Sequence, residues 1–368
     1  MKKFILISPK NRTVYNFRGD LVKEIISRGY DVIVIGPDQT DVDRIEALGA
    51  RFYEIPMNKT STNVFRDLKY CRELTAFLKK EKPDATLGYT VKPCIYGAIA
   101  AKCAGVKSIN SLVTGGGYTF TATSVKAWVL GVIVRMLYRI GFSKADHVIF
   151  QNEDDLNEFC DRGLLKRGKC SFVNGSGVNL TYFEQAPMPE KFGFFMLSRL
   201  LKSKGVREYL EAARMVKEKY PQAKFYLLGK YETAMQDALE RDYVEVFIRD
   251  GIIERFDETS DVRPYYAMCS VYVLPSYREG TPRTVLEAMA MGRPIITTDT
   301  QGCRGTVQDG VNGFLVPVKD SRAVAEKMIW CYEHSEKISE MGRQSLHYVH
   351  EKFDVNNVNA DMIRIMNL

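Results

Sequence analysis

Short runs of β-branched and aromatic residues alternate with longer segments of helical period along almost the whole chain, and this alternation leaves little choice of fold. In the first half, residues 4–8, 31–36, 52–55, 85–88, 108–113 and 147–151 read as strands. Between them, 17–28, 41–48, 63–80, 93–104 and 124–142 read as helices. Phe17, Leu21 and Ile25 recur every four residues, a stripe suited to packing on a sheet. The second half repeats the pattern, with strands at 193–198, 224–229, 245–249, 271–275 and 294–298 and helices at 208–220, 283–291 and 323–334. Repeated βα units predict parallel strands with helices on both faces. The expected class is α/β, as two doubly wound Rossmann-like domains facing across a cleft. Ligands of such sheets sit beyond the carboxyl ends of the strands.

A length of 368 residues suits two domains. Pro187 and Pro189 interrupt the alternation, so the seam is expected there, with domains at 1–186 and 187–349. Apolar residues make up 45% and charged residues 26%, an ordinary globular balance. No apolar run approaches the roughly 18 residues of a membrane span, and the longest candidate stops at Arg135. The N-terminus has two lysines but an apolar run too short for a signal peptide, and reads as a first strand. Eight cysteines without a Cys-x-x-Cys pair read as reduced thiols of a cytosolic protein.

Charge is unevenly placed. Lys+Arg minus Asp+Glu is 52 − 45 = +7. No acidic residue lies between Asp84 and Asp146, while Lys92, Lys102, Lys107, Lys126, Arg135, Arg139 and Lys144 do. A basic, acid-free segment seeks an anion, unless it is a solvated face.

The sharpest motif is Glu279-Gly280-Thr281-Pro282 followed by Glu287. Pro282 suits the first turn of a helix, which puts Glu279 in the loop before it and Glu287 about one turn inside. The N–H groups of Gly280 and Thr281 then lie where an anion is stabilised. Carboxylates accept from vicinal hydroxyls. Two sugar-hydroxyl acceptors flanking a phosphate cradle are what a nucleotide-sugar requires. Arg199 and Lys204 follow the first strand of the second half and can neutralise a diphosphate leaving group. The plainer readings are a helix-dipole glutamate, a surface pair and two solvated cations. Thr114-Gly115-Gly116-Gly117 follows a strand, so bare backbone can approach a phosphate. Lys92 and Arg18 are candidates for an acceptor's phosphates.

Taken as a set, Arg199…Lys204-Gly205, Pro275-Ser276, Glu279-x7-Glu287, Gly292-x-Pro294 and Asp309-Gly310-x-Asn312-Gly313 resemble the retaining glycosyltransferases of family four, which have the GT-B fold. The likeness is close over 192–318. It implies that Arg199 and Lys204 hold the donor diphosphate, Glu287 the ribose hydroxyls and Glu279 the donor hexose. It also implies that the final helix, within 350–368, crosses back to the first domain. Asn16-Phe17-Arg18, Thr90-x-Lys92-Pro93 and Thr114-Gly-Gly-Gly117-Tyr118 resemble a bacterial branch that builds surface glycans on polyprenyl diphosphate carriers. The loop after the first strand, Ser8-Pro-Lys-Asn-Arg-Thr13, departs from the family's Gly-Gly turn.

The resulting expectation is transfer of a hexose, N-acetylhexosamine or hexuronic acid from a UDP-sugar, with retention, to a polyprenyl-diphosphate-linked sugar. Catalytic roles fall to Glu279, Arg199 and Lys204. Glu287, Gly280, Thr281, Gly116 and Gly117 complete the donor site, and Asn16, Arg18, Lys92 and Tyr118 the acceptor site. No metal or cofactor is expected, since cations do the metal's work and no Asp-x-Asp ends a strand. Between 124 and 142, Trp128, Val132, Arg135 and Arg139 share a helical face suited to anionic headgroups, or to a core helix with snorkelling arginines. The enzyme is thus expected in the cytoplasm, peripheral on the inner face of the membrane, with no nucleic-acid partner. A nucleotide-sugar 2-epimerase of the same architecture and a non-catalytic nucleotide-sugar binder remain the alternatives.

Overall fold

The computed structural model describes residues 1–59, 61, 63–116, 125–232, 235 and 237–368, with side chains at 125–128 excepted. It divides into two compact units, Met1–Ser176 with Val355–Leu368, and Gly177–Asp354.

Among the described residues, the first unit holds seven parallel strands: β1 (Lys2–Ile7), β2 (Tyr30–Gly36), β3 (Arg51–Glu54), β4 (Ala85–Tyr89), β5 (Ser108–Val113), β6 (His147–Phe150) and β7 (Cys170–Phe172). Their order is β3-β2-β1-β4-β5-β6-β7. Side chains alternate between the two faces, as a strand requires. Ile5, Ile7, Ile33 and Ile35 enter one core, while Phe4, Leu6, Val32 and Val34 enter the other. Burial on both faces explains why these strands read as continuous apolar runs.

The second unit carries six parallel strands: β8 (Gly193–Leu197), β9 (Lys224–Leu228), β10 (Glu254–Phe256), β11 (Val271–Leu274), β12 (Ile295–Thr298) and β13 (Gly313–Val316). Their order is β10-β9-β8-β11-β12-β13. In each sheet the order reverses once, at β1/β4 and at β8/β11. Loops leaving those strands diverge and open the crevice where such folds bind ligands.

Three expectations change. Residues 245–249 are not a strand but the end of the helix Arg241–Arg249. Its buried residues, Val244 and Phe247, are three apart, so the apolar run there is one helical stripe rather than a buried strand. The expected helix 17–28 is Gly19–Ser27, and Phe17 instead ends a separate helix, Asn11–Phe17. The seam lies ten residues before Pro187. Val178 donates to the Phe353 carbonyl at 2.8 Å, and Val178 and Phe183 are buried in the second core. Arg293, fully buried, donates to the Ala186 and Pro187 carbonyls at 3.1 and 2.8 Å. The proline segment is therefore packed into the second unit rather than linking the two. The closing helix Val355–Met366 sets Val358, Met362, Ile363 and Met366 into the core that holds Leu21, Val22 and Ile25.

Candidate active site

The loops leaving β8 and β11 meet at the reversal of the second sheet. The Tyr277 N–H donates to the Ser203 carbonyl at 2.9 Å, which ties the two loops together. Gly205 is required between them. Its φ is +72°, and a Cβ there would lie 2.0 Å from the Pro275 carbonyl oxygen. This close approach delivers Lys204 to Glu279. The ammonium donates to Glu279 Oε1 at 2.5 Å, and the Ser276 hydroxyl donates to the same oxygen at 2.8 Å. Both partners of the ion pair are largely buried. Gly302, at φ +77°, packs behind the loop, where a Cβ would lie 2.2 Å from the Glu279 carbonyl oxygen. Cys303 lies near the pair, and burial pushes its thiol up to about 12, so it stays neutral.

Arg199 is placed differently. Its guanidinium donates to the Met235 sulfur at 3.2 Å and lies 4.0 Å from Glu232, with the side chain half exposed. The sequence grouped it with Lys204; in the structure it stands at the rim of the β8 loop.

Pro282 is the residue flanking the helix Arg283–Ala290, one position earlier than the first turn, and Glu287 lies one turn inside. Gly280 and Thr281 precede that helix as expected, and the Thr281 hydroxyl donates to the Gly280 carbonyl at 2.8 Å. Glu287 Oε1 is 3.3 Å from Arg283, and Oε2 accepts from the Tyr266 hydroxyl at 3.0 Å. Burial raises the Glu287 carboxyl above its ordinary range, while Arg283 and Tyr266 hold it back. The Asp309–Gly313 motif is a brace. Asn312, fully buried, accepts from the Gln308 N–H at 2.7 Å and donates to the Thr306 carbonyl at 3.2 Å.

In the first unit the corresponding reversal lies between β1 and β4. The Tyr89 hydroxyl is 2.6 Å from that of Ser8 and 2.7 Å from that of Thr13, which closes the loop after β1 without a Gly-Gly turn. Arg18 is buried with its guanidinium 5.6 Å from the Tyr89 ring centre. Lys92 donates to Asp67 at 2.5 Å and to the Ser61 carbonyl at 2.8 Å. Lys107 pairs with Asp84 at 3.7 Å. Acids outside the acid-free segment thus neutralise two of its cations, which a count along the chain misses. Asn16 is exposed, and Gly116 follows β5 buried. Gly117 and Tyr118 lie outside the described residues, as does the Trp128 side chain.

Arg139 donates to the Gly163 and Arg162 carbonyls at 3.0 and 3.2 Å, just past the end of the helix Glu153–Asp161. On the same helix, Val125–Lys144, a row of Val129, Ile133, Met136 and Ile140 is exposed, with Leu130 and Val132 beside it. The apolar surface thus extends beyond the expected stripe, whose Val132 is also exposed. Tyr138 and Phe142 face the core. Among the described residues, no helix is long and apolar enough to cross a membrane.

Sequence reasoning missed Tyr266. It stands 21 residues before Glu287 on another helix, and nothing in its spacing marks it.

Comparisons with known proteins bear on the family and the fold. The family of 4-like glycosyl transferases matches residues 4–152, and the group 1 glycosyl transferases match 191–334. Over 337 residues the chain is 29% identical to the N,N'-diacetylbacillosaminyl-diphospho-undecaprenol alpha-1,3-N-acetylgalactosaminyltransferase of Campylobacter jejuni, covering 88% of this chain and 87% of that one. It is 28% identical over 289 residues to the UDP-Gal:alpha-D-GlcNAc-diphosphoundecaprenol alpha-1,3-galactosyltransferase of Escherichia coli, covering 73% and 72%. Among solved structures, Anabaena HepE in complex with UDP superposes with a TM-score of 0.81 at 18% identity, over all of both chains. Sucrose-phosphate synthase of Thermosynechococcus elongatus gives 0.82 at 18%, over 100% of this chain and 98% of that one. At such identities the likeness is one of fold. With two parallel sheets, a paired-glutamate loop at the reversal of the second, and family matches along both halves, the chain belongs to the family-four glycosyltransferases of the GT-B class.

Proposed function

We propose that this glycosyltransferase moves a hexose, N-acetylhexosamine or hexuronic acid from a UDP-sugar, with retention, to a sugar carried on polyprenyl diphosphate during bacterial surface-glycan assembly. The observation that carries the reading is the Ser276–Glu279–Lys204 cluster beside Glu287 at the β8/β11 reversal. Lys204 pairs with one carboxylate, Glu279, and Arg283 with the other, Glu287, a set of charges suited to a diphosphate flanked by hexose and ribose. The activities for which the two undecaprenol-linked relatives are named support the acceptor class, and that of the Escherichia coli relative supports a UDP-sugar.

In the reaction the bond from the anomeric carbon to the β-phosphate oxygen breaks. The acceptor oxygen bonds to that carbon, and its proton passes to the departing diphosphate. Negative charge grows on the leaving group. Lys204, exchanging Glu279 for phosphate, meets that charge together with Arg199 and the N–H groups at Gly280 and Thr281. Glu279, released from the ammonium, accepts from the donor hexose, and Glu287 from the ribose. Gly116 and Gly117 complete the donor side, and Asn16, Arg18, Lys92 and Tyr118 the acceptor side. No divalent metal is required, because Lys204 and Arg199 supply the positive charge.

The same reading places the first unit against an anionic membrane surface, on the cytoplasmic face. The exposed row of Val129, Ile133, Met136 and Ile140 supports it. A panel of UDP-sugars, assayed for UDP release with and without a polyprenyl-linked acceptor, tests the function. Release that depends on acceptor upholds it. Conversion of a donor to its epimer without acceptor would replace it with the epimerase reading.

A further inference from the structure

We propose that Tyr266 is a positioning residue for donor capture, holding one oxygen of Glu287 so that the carboxylate's remaining lone pairs meet a vicinal diol. The proposal rests on the reading of Glu287 as the ribose carboxylate. A carboxylate offers about four acceptor sites. Tyr266 occupies one on Oε2, at 3.0 Å, and Arg283 lies 3.3 Å from Oε1. At least one site per oxygen is left, which is the arrangement for two adjacent hydroxyls. Tyr266 is itself fully buried and packed on several sides. Its ring packs edge-on to Phe195 and Phe183, with centres 5.4 and 6.4 Å away. Its carbonyl accepts from the buried Arg293 at 2.9 Å.

The proton count adds a second consequence. The Tyr266 hydroxyl has one hydrogen but faces two acceptors, Glu287 Oε2 and the Thr284 carbonyl at 2.9 Å. Without donor, a protonated Glu287 satisfies every oxygen: the carboxyl donates to the phenol, and the phenol to Thr284. Ribose hydroxyls bring hydrogens of their own, so donor binding favours the carboxylate and releases a proton. Arg283 is the charged group facing Glu287 from its own helix. Tyr266 and Tyr272 face it from the neighbouring elements, and burial raises both, keeping them neutral. Burial raises Glu287 as well, in agreement with the proton count.

The test measures the Kd of the UDP-sugar that turns over in the donor panel, on the full chain, from about pH 8 down to about pH 5. Such a sugar diphosphate has no phosphate group titrating in that range. The wild type is expected to lose affinity toward acid. Glu287→Gln should remove that acid limb. Tyr266→Phe, which keeps the ring, should weaken binding about tenfold or more, the worth of a hydrogen bond to a charged group. Glu287→Asp draws the carboxylate back from the phenol with every ring in place, and should weaken binding while keeping the limb. A limb that persists in Glu287→Gln, or wild-type affinity in Tyr266→Phe or Glu287→Asp, overturns the proposal. Unchanged affinity in Glu287→Ala overturns instead the ribose reading beneath it.

Discussion

At the scale of single residues, the site is built on one close approach and one ion pair. Gly205 admits the Pro275 carbonyl, and Lys204 reaches Glu279 as a result. Gly205→Ala is expected to cost about 3 kcal/mol, since it combines a left-handed backbone with a backbone clash. A lowered denaturant midpoint at unchanged slope checks this. Lys204→Ala should lower kcat about a hundredfold or more with a smaller change in donor KM, because the charge it meets grows in the transition state. Arg199→Ala should act in the same direction but more weakly, since its guanidinium already serves Glu232 at the rim. Equal kcat in wild type and Arg199→Ala would remove Arg199 from the leaving-group site. Glu287→Ala should raise donor KM by about tenfold to a hundredfold while leaving kcat closer to wild type. The sequence announced these residues because they sit in short motifs on single loops. Tyr266 escaped because its hydroxyl reaches Glu287 through the fold, from a helix that precedes β11.

Among the elements, strands buried on both faces were legible as apolar runs, and helices as stripes. What stayed hidden were short strands at sheet margins, such as β7 and β10, whose three residues carry no period. The helix Arg241–Arg249 misled for the opposite reason, since Val244, Val246, Phe247 and Ile248 look like a strand until tertiary packing selects one side. The helix Val125–Lys144 shows how far charge patterning alone reaches. Its basic character was visible, yet Arg139 is engaged by backbone carbonyls, and an exposed apolar row lies beside it. Ile133→Glu with Met136→Glu is therefore expected to abolish co-sedimentation with anionic vesicles. Arg135→Glu with Arg139→Glu should weaken it as well, by charge reversal. Equal pelleting of both variants and the wild type would remove the membrane claim. Activity on a short, soluble acceptor should survive in the Ile133/Met136 variant.

For the whole molecule, charge neutralisation by side chains predicts that turnover persists in excess chelator. A loss restored by a divalent cation would overturn that expectation. The fold class was legible from the alternation of elements, and the division between the units was not. Prolines look like a linker on paper, whereas here Arg293 anchors them inside the second unit. The closing helix has a consequence for biogenesis. Residues 355–368 are synthesised after all of the second unit, yet they complete a core begun by Phe4, Leu6 and Leu21. On the ribosome the N-terminal lobe must wait, part-assembled, with a greasy groove open to chaperones, until its last helix emerges.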